Sequence, residues 1–299
     1  MLTTVQDFGR WGHQASGVPV AGPMDVYSHR LANQLVGNSD TAAALEITLI
    51  GPELYVEGDL LCAVTGAEFV VLVGGHAVRH TSPFRAPSGA SIRFGERKSG
   101  ARATLAVRGG LAVASVLGSR STSLLGRIGP FEGRTLAAGD VLSVGEERRF
   151  DDAAWSAYPM VMPRSGARVR AMTGPHDAMF TTGAMDTFFS TRFSVTSASN
   201  RTGYRLGGKT ISHAAAADIL SDATPFGSVQ VPRSGQPILL MADRQTTGGY
   251  PKIATVITAD LPIAGQLAPG DWIEFVPCTR AAALDALRLQ ERRLTGRAR

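Results

Sequence analysis

The sequence predicts a mainly β protein built as two β-rich lobes with a few short helices. Three observations carry this. Short apolar runs recur along the whole chain, each bounded by Gly, Pro, Ser or Asp, which is the pattern of strands and turns. The chain contains 34 Gly and 16 Pro, enough to supply many turns but too few for a disordered protein. At 299 residues it is also longer than a single hydrophobic core commonly serves.

In the first half the β-type runs are 45–50, 60–64, 69–73, 92–94, 103–107 and 141–144. In the second half they are 168–172, 193–195, 204–206, 230–231, 238–241, 253–257 and 272–275. The clearest helix spans 26–36. Asp25 is placed to cap it, Tyr27, Leu31 and Leu35 recur at i+4 spacing, and Gly37-Asn38 supplies the stop, with Asn38 in a C-capping role. A second helix is expected over 176–189, after Gly174-Pro175. A third begins at Ala281 and carries Leu284, Leu287 and Leu294 on one face.

These runs divide into an N-terminal lobe, 1–150, and a C-terminal lobe, 164–299, joined by an acidic, proline-containing junction over 151–163. Landmarks recur in the same order in both halves. Gly22-Pro23-Met24-Asp25 matches Gly183-Ala184-Met185-Asp186, and Leu136-Ala137-Ala138-Gly139-Asp140 matches Leu267-Ala268-Pro269-Gly270-Asp271. Duplication of one lobe explains the order; so does chance, because Gly-Asp before a strand is a common turn. Two similar lobes would gather their strand-end loops around a shared cleft.

Composition excludes several classes. The net charge of +5 suggests nucleic acid, but the cations are nearly all scattered arginines, without basic runs or interleaved aromatics. No apolar run approaches the ~18 residues of a membrane span. The start, Met-Leu-Thr-Thr-Val-Gln-Asp, lacks the basic and apolar regions of a signal peptide. Cys62 and Cys278 lie far apart with no CxxC spacing, which reads as two buried thiols in a cytoplasmic protein.

Four polar clusters are the candidates for chemistry. They are Thr4 to Gly12, judged too polar for a core strand; Arg108-Gly109-Gly110 with Leu117 to Thr122; Ser199 to Arg205; and the loop 243–252, Asp-Arg-Gln-Thr-Thr-Gly-Gly-Tyr-Pro-Lys. The last lies between two apolar runs, and its Gly pair permits positive φ and close approach to a ligand. Each cluster alone also reads as a solvated turn. Arginine beside Gly and hydroxyls suits recognition of carboxylate or phosphate, because the guanidinium fork binds two oxygens. Lys252 stands out because the chain has only two other lysines, Lys98 and Lys209. No P-loop, GxGxxG, HExxH, GxSxG or biotin-attachment Met-Lys-Met occurs, and the six histidines show no metal-ligand spacing. No cofactor is therefore bound by motif on this chain, and no metal site is expected.

The motifs Thr4 to Arg10, Gly17-Val18-Pro19, Ala32-Asn33 with Leu35 to Asn38, Val107 to Gly110, Leu117 to Thr122, Ser199-Asn200-Arg201 and Asp243 to Ala254 resemble the biotin-dependent carboxyltransferase family nearly end to end. That family includes the C subunit of 5-oxoprolinase, the KipI antagonist, allophanate hydrolase subunit 2 and part of urea amidolyase. Its members carry a short strand before Thr-Val-Gln-Asp, and this chain begins almost on that motif. The resemblance implies cyclophilin-like β-barrel lobes. It implies two partners, a KipI-type B subunit with a cyclophilin-like fold and an A subunit of the lactam utilisation type. It also implies a small lactam or amide as substrate, and ATP on a partner or shared. The main expectation is an ATP-dependent 5-oxoprolinase that opens 5-oxoproline to glutamate. The alternatives are biotin-dependent carboxyl transfer to urea or another small amide, and a non-catalytic regulatory complex with a KipI-type inhibitor.

Those reactions activate a resonance-stabilised amide and build negative charge on oxygen. On that chemistry Lys252 and Arg201 neutralise charge, and Asp243 acts as a general base or orients one. Gln245 and Thr246 bond the amide, and Gly248 and Gly249 offer backbone N–H groups. Asp7 and Arg10 line the cleft from the other lobe, Arg120 lies near the substrate carboxylate, and Asn200 and Tyr250 complete the binding set.

Overall fold

A computed structural model describes residues 2–146 and 158–296. Of the expected junction, 151–157 lie outside the described residues. The described chain separates into two compact units. The first takes in 2–10, 21–146, 158–164 and 291–296; the second takes in 11–20 and 165–290.

The first unit is built on seven strands: β1 (Leu2–Gln6), β2 (Ala44–Thr48), β3 (Glu53–Tyr55), β4 (Leu60–Val73), β5 (His76–Ala77), β6 (Pro83–Ala86) and β7 (Ser91–Val107). They form one sheet in the order β1-β2-β7-β4-β5, with β3 added to β7 and β6 to β4. The pairs are antiparallel, and Val5, Leu45, Leu105 and Val64 lie in one cross-strand row. Those four side chains are buried in one apolar cluster with Ile47, Phe69, Ile92 and Phe94.

Three expectations change here. Runs 60–64 and 69–73 are one strand, β4, and runs 92–94 and 103–107 are one strand, β7. The polar residues between them remain in the ladder because each long strand satisfies the other's backbone groups. Register shifts at Gly66/Glu68, Glu68/Phe69 and Phe69/Val71 break the alternation that would have shown this in the sequence. Run 141–144 is not a strand; it contributes a single bridge, Leu111 to Val144. Finally, Thr4, Val5 and Gln6 do belong to a core strand. Two of its polar side chains are hydrogen-bonded inside, since Gln6 Nε2 donates to Thr4 Oγ1 and to the Thr122 carbonyl, both at 3.0 Å, while the buried Thr3 Oγ1 has no partner among the described residues.

Helix α1 (Val26–Leu35) begins where expected, with the Asp25 carboxylate accepting from Ser28 N at 2.8 Å. Its stop is a left-handed Gly37 at φ 75°, followed by an Asn38 N–H that returns to the Asn33 carbonyl at 2.8 Å. The Asn38 side chain does more than cap. Its Nδ2 donates to Val107 O at 2.8 Å and to Asn33 Oδ1, while its Oδ1 accepts from Gly109 N at 2.9 Å. Gly109 itself cannot be replaced cheaply. Its φ is 91°, and a Cβ there would lie 2.2 Å from the Gly145 carbonyl. A short helical turn, α2 (Pro130–Gly133), follows later in the unit.

The second unit contains a closed seven-stranded barrel. Its strands are β8 (Gly166–Thr173), β9 (Arg192–Val195), β10 (Gly203–Gly207), β12 (Ser228–Gln230), β13 (Ile238–Leu240), β15 (Lys252–Val256) and β16 (Trp272–Pro277). The ring order is β10-β13-β12-β15-β8-β16-β9. A separate two-stranded ribbon joins β11 (Asp222–Ala223) to β14 (Thr247–Gly248). Phe188 of helix α3 (Thr182–Ser190) stacks on Phe275 with ring centroids 4.5 Å apart, and Phe193 joins them in the barrel core. The helix expected over 176–189 is split, because Thr181 caps α3 and leaves only a 3-10 turn, Asp177–Met179, before it. A short helix not expected, α4 (Leu261–Gly265), carries a proline, Pro262, in its first turn. Helix α5 (Arg280–Thr295) is present, but its leucines do not share one fate: Leu284 is exposed, and Leu294 is buried beside Tyr27 and Leu31.

The paired landmarks agree locally at one turn. Asp140 Oδ2 accepts from Ala137 N, and Asp271 Oδ2 accepts from Ala268 N, both at 2.8 Å, with Gly139 and Gly270 both at positive φ. Elsewhere they diverge: Asp25 caps a helix, whereas Asp186 lies inside one.

Asn38→Ala removes two side-chain bonds and leaves the Gly109 N–H without its acceptor. A loss of roughly 1–3 kcal/mol in urea unfolding is expected. A midpoint equal to wild type would show that Asn38 does not tie α1 to the end of β7.

Candidate functional site

In the first unit, Asp7, Arg10 and Arg120 come together around 119–121. Asp7 directly follows β1, and its carboxylate is surrounded by donors. Oδ1 accepts from Gly9 N at 2.9 Å, Ser119 Oγ at 2.5 Å and Ser121 Oγ at 2.7 Å, and Oδ2 accepts from Arg120 N at 2.6 Å. Burial pushes this carboxyl up, but the bonds from Arg120, Ser119, Ser121 and Gly9 outweigh it and hold the group below its ordinary 3.8. Arg10 is 1% exposed and donates to the Ser121 carbonyl. The Arg120 side chain is exposed and donates Nε to the Val113 carbonyl at 2.9 Å. His29 is fully buried near this carboxylate. Burial, opposed by Asp7, drives its pKa down to about 4.

In the second unit the loop 243–252 is fixed at both ends. Arg201 and Asp243 form a bidentate ion pair, Nε to Oδ2 and Nη2 to Oδ1, both at 3.0 Å, with side chains 3% and 1% exposed. Their backbones are joined as well, Asp243 N to Arg201 O at 2.9 Å. Asn200 shapes the preceding turn, its Oδ1 accepting from Thr202 N at 2.8 Å. At the far end, Lys252 Nζ reaches Asp222 Oδ2 at 2.5 Å and Ala223 O at 2.7 Å. Lys252 is 2% exposed although Asp222 is half in solvent. Lys252 N donates to His176 Nδ1 at 3.3 Å, and burial together with the Lys252 charge lowers the His176 pKa.

Between these anchors the Gly pair behaves differently from expectation. Neither Gly248 nor Gly249 has positive φ. Gly248 lies in β14 opposite Asp222, and a Cβ on it would come within 2.6 Å of Gln230 Nε2. The missing side chain therefore makes room for a neighbouring amide. Gln230 in turn accepts from Gln245 Nε2 at 3.4 Å and donates to the Tyr250 carbonyl.

Gln245 and Thr246 line a cavity of about 230 Å³ with Trp11, Gln14, Thr224 and Arg244. Tyr250 lines a different cavity, of about 610 Å³, with Arg205 and Gln236. Asp222, His176, Gln14, Thr224 and Gln230 lie outside the four polar clusters of the sequence, whereas Trp11 and Arg244 lie inside two of them. Asp222 and His176 are distant in sequence and reach Lys252 only through the β11–β14 ribbon and the end of β8. Among the described residues no group of three His, Cys, Asp or Glu could hold a metal ion. Both cysteines are free, but only Cys62 is buried; its thiol is pushed up to about 12, and Cys278 is partly exposed at the end of β16.

The second unit is thus a closed barrel that carries a polar loop hydrogen-bonded at both ends. The chain belongs to the carboxyltransferase domain family, subdomains A and B, whose profile matches residues 16–277. It is 40% identical over 292 residues to the C subunit of 5-oxoprolinase from Escherichia coli, covering 98% of this chain and 93% of that one. It is 34% identical to urea amidolyase of Saccharomyces cerevisiae over 92% of this chain, but spans only 16% of that protein. The crystal structure of Kluyveromyces lactis urea carboxylase superposes with a TM-score of 0.93 at 32% identity, over 99% of this chain and 28% of that one.

Breaking one side of the buried pair leaves an uncompensated charge. Arg201→Met and Asp243→Leu are each expected to cost about 3–5 kcal/mol in chemical unfolding, and the double variant much less than the sum. Additive losses would mean the two side chains act independently. A second expectation concerns pH. The depressed pKa of His29 means that the unfolded chain takes up a proton the folded chain refuses between about 4 and 6.5. Stability is therefore full above 6.5 and falls towards 4, with Asp7 adding its own loss only below its ordinary 3.8. In His29→Gln the slope of unfolding free energy against pH over that window should flatten by about one proton's worth. An unchanged slope would assign the proton to another group.

Proposed function

We propose that this chain acts as the C subunit of a cytoplasmic, ATP-dependent 5-oxoprolinase, opening 5-oxoproline to glutamate with an A subunit and a KipI-type B subunit. The observation that carries this is the match to the 5-oxoprolinase C subunit along nearly the whole length of both chains, against a small fraction of the urea enzymes. The free thiols and the lack, among the described residues, of any helix long and apolar enough to cross a membrane accord with the location.

A lactam resists attack until its carbonyl oxygen is stabilised as charge builds there. Lys252, held by Asp222, and Arg201, held by Asp243, are buried, fixed cations that can offset such charge through their field without reorganising. Asp243 serves as the residue that orients Arg201, since both its oxygens are committed to that guanidinium. Gln245 and Thr246 face a cavity and can bond the amide. Asp7 and Arg10 shape the backbone at 119–121, leaving Arg120 exposed to meet an anion.

The residues do not form a nucleotide cradle at the helix starts best placed for one. The first turn of α1 is closed by the Asp25 carboxylate, which would repel a phosphate, and that of α3 by Thr181. ATP is therefore placed on a partner or shared with one, and no step on this chain runs through it. A second reading, carboxyl transfer from carboxybiotin to urea, is favoured by the close superposition on urea carboxylase.

Reconstitution with the A and B subunits should release glutamate from 5-oxoproline with ATP, and omission of any one of the three should abolish it. Lys252→Ala in the assembled complex should lower turnover by at least about 100-fold, the cost of losing one charge-stabilising donor. Full activity of that variant would reduce this chain to a scaffold. No glutamate from well-folded subunits, together with carboxyl transfer to urea, would decide for the second reading.

A further inference from the structure

Three of the cations around the loop 243–252 are matched by carboxylates. Arg201 is matched by Asp243, Lys252 by Asp222 and Arg233 by Asp218. Arg244 has no carboxylate partner among the described residues. Its Nε donates to the Thr224 carbonyl at 2.7 Å, its Nη1 makes a long contact with the Met241 carbonyl at 3.5 Å, and its guanidinium lies 5.4 Å from the Phe226 ring centroid. Nη2 makes no hydrogen bond among the described residues. Burial lowers the Arg244 pKa to about 10, still far above neutrality, so the side chain remains a cation. A half-buried cation held by neutral carbonyls and lining a cavity is costly unless an anion completes it.

The cavity limits what that anion can be. At about 230 Å³ it is smaller than the ~300–1,000 Å³ of drug-sized sites, so the occupant is small. Trp11 gives one wall an aromatic surface, and Val20 and Pro225 make the lining partly apolar. Gln245 and Thr246 stand beside Arg244; Gln245 Nε2 is engaged with Gln230, while its Oε1 accepts no hydrogen bond among the described residues. An acceptor and a hydroxyl next to an unmatched guanidinium suit a molecule with an amide N–H, a carbonyl and a carboxylate.

We infer that this cavity is the subsite for a small cyclic amide bearing a carboxylate, and that Arg244 is the residue that reads the carboxylate. This rests on the 5-oxoprolinase reading and adds to it a specificity determinant. Arg244 binds and discriminates; the bond-breaking step is not assigned to it.

The test uses the assembled three-subunit complex and two lactams, 5-oxoproline and 2-pyrrolidinone, which lacks the carboxylate. Arg244→Gln should raise KM for 5-oxoproline roughly 10- to 100-fold, the loss of a charge-assisted bond, and leave KM for 2-pyrrolidinone within about twofold. Arg244→Lys should recover part of the discrimination and serves as the readout if Arg244→Gln does not fold. Equal losses for both lactams, or no change in their ratio, would overturn the inference while leaving the 5-oxoprolinase reading intact. If the wild-type complex releases no glutamate, that reading fails, and binding decides separately. Calorimetric titration with 5-oxoproline should then show binding to the wild-type chain, weakened in Arg244→Gln. Absent binding, or equal binding to both, sinks the subsite.

Discussion

The buried Arg201–Asp243 pair is the constraint on which the polar loop depends. Two ionised side chains this deeply buried are expensive to desolvate, and only a bidentate geometry with complementary charge offsets that cost. The pair does not stand alone. Asp243 N bonds Arg201 O, and Met241 N bonds Thr202 O, so the β10–β13 ladder is prolonged into the loop just where the side chains lock. A loop leaving a barrel strand is ordinarily free to sample many conformations. Here its first residue has both backbone and side chain fixed, and the ordering entropy of the next few residues is correspondingly reduced.

The exit of the loop is held by a different device. Lys252 opens β15, and its buried stem brings Nζ to Asp222 and the Ala223 carbonyl on the ribbon opposite Thr247 and Gly248. Gly248 has no side chain because the Gln230 amide occupies that space, and Gln230 then joins Gln245 to Tyr250. Entry, middle and exit are thus linked through hydrogen bonds rather than apolar packing. Such a network holds polar groups in place at little reorganisation cost, as charge stabilisation requires.

Much of this was legible in the sequence, and the failures have physical causes. Capping by Asp25 and the stop at Gly37-Asn38 are local chemistry, so they read directly. The barrel strands also read well, because apolar runs such as 238–241 and 253–257 are buried against a closed ring. Strand β1 did not: Thr4 and Gln6 look like surface residues until the Thr122 carbonyl and their mutual bond are known, and those lie far away or depend on register. The length of β4 and β7 was hidden by bulges that shift the side-chain alternation. In the site, Lys252, Asp243 and Gln245 stood out as a run, whereas Asp222 and His176 approach Lys252 only through tertiary pairing, which no spacing rule conveys.

The state of the acidic groups bears on what this chain contributes to a reaction. A general base works best when its proton affinity is near the operating pH and its oxygen can reach a substrate proton. Asp7 fails the first condition, since four donors hold its carboxyl below the ordinary range. Asp243 fails the second as placed, since both oxygens face Arg201 and the side chain is almost wholly buried. Asp222 is tied to Lys252, which lowers its affinity for a proton. These carboxylates act as counter-ions and as posts for backbone N–H groups. The cations they hold are fixed in direction, whereas Arg244 has no carboxylate partner among the described residues and is held by the Thr224 and Met241 carbonyls. A carboxylate committed to a cation or to backbone N–H groups is poorly placed to take a proton, so the acidic groups of this network fit a role in holding cations rather than one in proton transfer.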